Sequence, residues 1–365
     1  MKLVGTIPAG RVWDVVDHLS RQGVRVVAPT LVDGLCQFAP VTGAHQVVKD
    51  YLLPQNTFKE FLFPKQERVF TWLRRDDGSY VVTEPPRDFP ETVILGGRPC
   101  DAAAIGVSLK SVFSASASDR WEHADPLFLE RFERTTVVCI SCDRPDLSCF
   151  CTTMGLGPDD PTGSDVLITA SGPDGDLVVE VFSPKGERFV ERIRPLLITG
   201  QSESLLREQR LAAGQEARGR FVRVFDIGQV KAFLDNPENF DDELFQRLGT
   251  KCVSCGVCTF ECPTCHCFDF KDLGDTTGGE RIKVWDSCQF PAFTVHATGH
   301  QPRPTQWERY RNRFLCKFKI YEDVFETLGC TGCGRCVRDC PVHVDITSYA
   351  MQSHARQVTL LQLKA

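Results

Sequence analysis

Cysteine recurs at one spacing in two separate places. Cys252, Cys255, Cys258 and Cys262, with Pro263 after the last, follow the pattern C-x2-C-x2-C-x3-C-P, and Cys330, Cys333, Cys336 and Cys340, with Pro341, repeat it. In such a run three thiolates on one tight loop take three corners of an iron–sulfur cube, while the fourth, past the turn, reaches the neighbouring cube. The spacing therefore predicts two crossed sites. Cys252, Cys255, Cys258 and Cys340 form one, and Cys330, Cys333, Cys336 and Cys262 form the other. A pair of zinc ribbons would instead want its ligands as two separated pairs. Two [4Fe–4S] clusters are the expected cofactors. Gly256, Gly332 and Gly334 suit a close approach of backbone N–H groups to cluster sulfur.

The fold has to accommodate that repeat. A chain of 365 residues is long for one domain. Helical patterns (230–234, 241–248, 321–328 and 348–363) surround both cysteine runs, and the stretch between the runs exceeds what a short β-rich ferredoxin needs. The expectation is α+β: an N-terminal α/β domain over 1–225, then an all-α ferredoxin-type two-cluster domain over 226–365. Within the first, Val24–Val27, Val93–Leu95, Val137–Ile140, Val166–Thr169 and Leu177–Phe182 read as strands, and Val12–Leu19 and Asp101–Phe113 as helices. Asp76–Ser79 suggests a hairpin between 70–73 and 80–83, and Gly172–Asp176 a second turn. Residues 200–220 read as an exposed connecting helix.

Eighteen cysteines in a chain without a secretory leader pattern point to metal ligation rather than disulfides. Outside the repeat, Cys100 in GGRPCD and Cys139, Cys142, Cys149 and Cys151 in CISCDRPDLSCFC crowd the first half. Cys100, Cys142, Cys149 and Cys151 make a third metal centre if the fold brings the 100 turn beside the 142–151 loop. Otherwise they pack as small apolar side chains. Cys265, Cys267 and Cys288 either shield the adjacent cluster or ligate. Cys36 and Cys316 stand alone and read as packing residues.

A formal charge of −6 argues against a nucleic-acid binder, and no segment has the roughly 20 apolar residues of a membrane span. The chain is expected in the cytoplasm. Lys251, Arg335 and Arg338 sit beside the motifs, where cations tune cluster potentials. The run His300–Lys319 interleaves six basic residues with aromatics, as either a docking face for an acidic partner or cofactor phosphate, or a solvated basic face. His266 and His343 read as hydrogen-bonding neighbours of cluster ligands. There is no G-x-G-x-x-G after a strand, no P-loop lysine and no H-E-x-x-H. Catalytic residues are therefore not assigned, and the chain is expected to pass electrons rather than perform terminal chemistry.

The set GGRPCD, CDRPDLSCFCTTMGLGP, CVSCGVCTFECPTCHCFDF, WDSCQF, RYRNRF and GCTGCGRCVRDCPVHVDI resembles the beta subunits of cytoplasmic NAD(P)-linked nickel–iron hydrogenases (sulfhydrogenases), and equally the corresponding iron–sulfur subunits of anaerobic sulfite reductases. The likeness spans about residues 50–350. It implies a subunit that relays single electrons between a flavin partner handling NAD(P)H and a catalytic partner carrying nickel–iron or sirohaem. A different class of reading is a self-contained oxidoreductase whose N-terminal domain binds flavin or substrate.

Overall fold

The computed structural model describes residues 2–114, 124–170, 175–327 and 329–364. Among the described residues eleven strands form two sheets: Lys2–Ile7 (β1), Arg25–Val32 (β2), Leu35–Val41 (β3), Gln66–Arg74 (β4), Tyr80–Thr83 (β5), Thr92–Gly97 (β6), Thr135–Ile140 (β7), Val166–Ala170 (β8), Leu177–Val181 (β9), Phe268–Gly274 (β10) and Gly278–Trp285 (β11). The larger sheet runs β1-β9-β8-β7-β6-β2-β3. Its four inner strands, β8, β7, β6 and β2, are mutually parallel, and each outer strand pairs antiparallel with its neighbour.

Parallel strands need cover on both faces, so their sequences run apolar instead of alternating. TVILGG and TTVVCI do so, and β6 is buried throughout. One face packs on Val15, Val16 and Leu19 of the helix Asp14–Ser20 and on Phe189 and Ile193 of Pro184–Ile193. The other packs on Phe58, Phe63, Ile105, Leu109, Phe113 and Phe128. The polar helix Glu203–Arg218, expected to be exposed, is anchored to this body: Arg218 pairs with the buried Asp159 at 2.9 Å, and Leu206 and Ala217 are buried. The turn at 172–176 lies largely outside the described residues, although the strands it joins pair antiparallel.

The expectation of an all-α second half does not hold. β10 and β11 form a hairpin inside the long stretch between the cysteine runs, and β11 pairs antiparallel with β4 to give a second sheet, β10-β11-β4-β5. Strands from the first hundred residues and from the cluster-bearing segment thus share one ladder. The helical part is a separate core, in which Phe233, Phe245, Phe314, Phe318 and Tyr349 pack together. Phe245 stacks on Tyr349 with ring centroids 4.1 Å apart.

Candidate metal centres

The two cysteine runs fold as one backbone motif used twice. Ser254 and Gly332, each two residues after the first cysteine of its run, have φ of 55° and 66°. Gly256 and Gly334, two residues further on, have φ of 79° and 82° and start the short helices Val257–Phe260 and Arg335–Arg338. These left-handed residues turn backbone donors inward. Ser254 N–H donates to Cys252 Sγ at 3.3 Å, Gly332 N–H to Cys330 Sγ at 3.4 Å, and Val344 N–H to Cys340 Sγ at 3.2 Å. Amide donors aimed at cysteine sulfur are what a thiolate-held anionic cluster needs, so the donor set fits the group.

Cys340, from the second run, joins Cys252, Cys255 and Cys258 around one cavity, whose wall also carries Gln289, Arg313 and Cys336. In the complementary place, Cys262 from the first run lies within electrostatic reach of Cys330, Cys333 and Cys336. The eight cysteines of the two runs thus lie close together, with Cys336 bordering the first cavity as well.

Burial governs their protonation. It pushes the Cys258 and Cys333 thiols up to about 12 and raises Cys252, Cys330 and Cys336 as well. Such thiols keep their protons until iron replaces them, which ties ligation to folding. Cys262 runs the other way, held low by the Cys265 thiol that donates to it.

The match to known proteins follows the same segment. Residues 251–344 match a family model described as a 4Fe-4S dicluster domain. This segment is a 4Fe-4S dicluster domain. Its two clusters are cofactors of this chain. Over 323 residues the chain is 29% identical to sulfhydrogenase 2 subunit beta of Pyrococcus furiosus, covering 88% of this chain and 90% of the relative, and is its homologue. A chain of the F420-reducing [NiFe] hydrogenase complex of Methanosarcina barkeri aligns with 64% of this chain and 93% of its own length, at a TM-score of 0.34 and 9% identity.

Buried cations lie within the dicluster domain and against it. Arg309, Arg311, Arg313 and Lys317, from the basic run, are all buried. Four of the run's six cations are thus turned inward, while Arg303 and Lys319 stay partly exposed. Arg313 lines the first cavity, donates to Cys265 Sγ at 3.6 Å, and lies close to Cys258 and Cys336, one from each cysteine group. Lys59, from the N-terminal half, donates to the carbonyls of Cys262 and Cys265, each at 3.0 Å, and covers the Trp285 ring. His266 is a hydrogen-bonding neighbour: Nδ1 lies 3.3 Å from Thr264 O and from Tyr321 Oη, and burial pulls its pKa down to about 4.

Two further thiol groups appear. Cys267 donates to Cys288, with Cys265 and Cys316 close by, so Cys316 is not the solitary packing residue expected. No spacing rule could have found it, because it arrives from a separate helix. Cys100, Cys142, Cys149 and Cys151 line one void, which Cys333 also borders. Among the described residues no group of three or more Cys, His, Asp or Glu side chains is tight enough for a single ion. Cys36 lies apart, at the edge of the sheet core. No described helix is long and apolar enough to cross a membrane.

Proposed function

We propose that this chain is the electron-transfer subunit of a cytoplasmic nickel–iron hydrogenase complex. It relays single electrons between a flavin partner that handles NAD(P)H and a catalytic partner that carries the nickel–iron site. The observation that carries this reading is the dicluster domain within a chain homologous, along nearly its whole length, to a sulfhydrogenase beta subunit. When bound, the clusters supply one-electron carriers that match a flavin's ability to split a hydride pair.

The chain's own residues set the conditions. In this reading Cys252, Cys255, Cys258 and Cys340 hold one cluster, and Cys330, Cys333, Cys336 and Cys262 hold the other. Cys336 belongs to the second set and also walls the first cavity, which supports close placement of the two centres. Tyr310, Val344 and Ile346 line the first cavity beside these cysteines. The amides of Ser254, Gly332 and Val344 donate to ligand sulfur, and Arg313 supplies positive charge to both groups.

The test is anaerobic purification of the complex through a tag on this chain. Nickel should co-purify, and hydrogen should drive NAD(P)+ reduction. Cys255→Ser should cut that throughput while sparing NAD(P)H oxidation by an artificial dye at the flavin partner. Sirohaem instead of nickel in the complex would sink the hydrogenase assignment and favour a sulfite reductase. Unchanged throughput in the variant would sink the relay.

A further inference from the structure

We propose that Cys100, Cys142, Cys149 and Cys151 hold a third [4Fe–4S] cluster, at the carboxyl end of the parallel sheet and beside Cys333. The assignment goes beyond the relay reading and does not depend on which enzyme the chain serves.

The sheet builds half of the site. β6 and β7 pair in parallel with Gly97 opposite Cys139. Cys100 and Cys142 each follow those partners by three residues, so the register delivers two thiols side by side just beyond the strand ends. That is where open α/β sheets place their ligands.

The dicluster domain builds the other half by fixing the 148–151 loop. Phe150 N–H donates to Gly332 O at 2.8 Å, and Cys149 Sγ lies 3.6 Å from Cys333 O. The Phe150 ring is buried in the helical core against Phe225, with centroids 5.9 Å apart. With Phe150 anchored there, Cys149 and Cys151 are both left for the void that Cys100 and Cys142 line.

The space they surround resembles that of an expected cluster site. It is of much the same size as the cavity shared by Cys252, Cys255, Cys258 and Cys340, and like that cavity it is walled by four cysteines gathered from separate segments. A buried guanidinium offsets the charge of an anionic cube: Arg98, near Cys142, donates to Ser141 O at 3.1 Å.

Position then gives the site a role. Cys333, a ligand of the second cluster in the relay reading, borders the void, so the third cluster abuts the second. On its far side, Cys142 and Arg144 also line a large cleft with Trp13, Tyr51 and Arg98. The third cluster thus extends the electron path from the dicluster domain to that cleft.

The experiment compares the anaerobically reconstituted full chain with Cys142→Ser/Cys149→Ser and with Cys100→Ala/Cys151→Ala. Each double variant should lose about four irons and four sulfides per chain. Each should retain the paramagnetic signals of the reduced dicluster domain, the ones that Cys255→Ser diminishes. Iron unchanged in both variants overturns the proposal, as does loss of a single zinc in place of iron. Native mass spectrometry of the unaltered chain needs no variant to fold: mass for three or more cubes supports the assignment, and mass for two alone overturns it.

Discussion

Arg335 and Asp101 form a two-pronged ion pair, at 2.5 and 2.8 Å, with neither side chain exposed to solvent. Arg335 lies between Cys333 and Cys336 in the second run, and Asp101 directly follows Cys100 at the end of the parallel sheet. The third Arg335 nitrogen, Nε, donates to Pro54 O at 2.9 Å, and Arg338 donates to Leu53 O at 2.9 Å. A single cysteine loop is thereby bolted to two elements of the N-terminal half.

Removing one partner of such a pair leaves a buried charge uncompensated, which costs about 3–5 kcal/mol. Asp101→Ala should therefore lower the anaerobic thermal midpoint by several degrees. The double replacement Asp101→Leu/Arg335→Met removes both charges and should recover most of the loss. A single variant as heat-resistant as the parent would show that the pair braces nothing.

The crossed ligand sets make paired mutants informative. Cys340→Ser should damage the same centre as Cys255→Ser, although it sits in the other run. Cys262→Ser should damage the same centre as Cys330→Ser. Paramagnetic spectra of the four reduced variants should fall into those two pairs. Grouping by run instead, with Cys340→Ser resembling Cys330→Ser, would replace the crossed arrangement with two self-contained loops.

Gly332 serves two demands at once, a φ of 66° and the backbone of Cys151 only 2.6 Å from where a Cβ would stand. Gly155 has φ 79° with nothing within 4 Å of that position. Alanine at Gly155 should carry only the left-handed penalty of about 1–2 kcal/mol. Gly332→Ala should cost clearly more and also disturb the centre that Cys330→Ser disturbs. Thermal midpoints and iron content of the two variants decide it. Equal losses would mean that the 148–151 loop is free to move aside.

What the sequence made legible was local chemistry. The matched C-x2-C-x2-C-x3-C-P runs announced a two-cluster domain, and the apolar runs of Val93–Leu95 and Val137–Ile140 announced strands of an α/β body, because each signal lies within a few residues. The β10–β11 hairpin stayed hidden since β10 is largely exposed, and its partner β11 takes its second neighbour, β4, from some two hundred residues away. The basic run misled for a related reason. Composition alone suggests a wet face, yet Arg309, Arg313 and Lys317 turn inward because cysteine groups gathered from distant segments sit beneath them. Cys316 looked solitary because its neighbours Cys267 and Cys288 meet it only after the insert folds.

Arg313 offers the most direct link between this burial and electron transfer. Its guanidinium lies near Cys258 of one group and Cys336 of the other, and buried charges are weakly screened by salt. A unit charge roughly 7 Å from a centre, at an effective dielectric of about 20, is worth about 2.4 kcal/mol. That corresponds to about 100 mV for one electron. Removing the cation makes adding an electron harder, so Arg313→Gln should lower both dicluster potentials by about that amount, while Arg313→Lys should leave them close to the parent. Redox titration followed by electron paramagnetic resonance reads both centres in one experiment. A shift confined to one centre would place the guanidinium with that cluster alone, and no shift in either would remove it from the tuning of the relay.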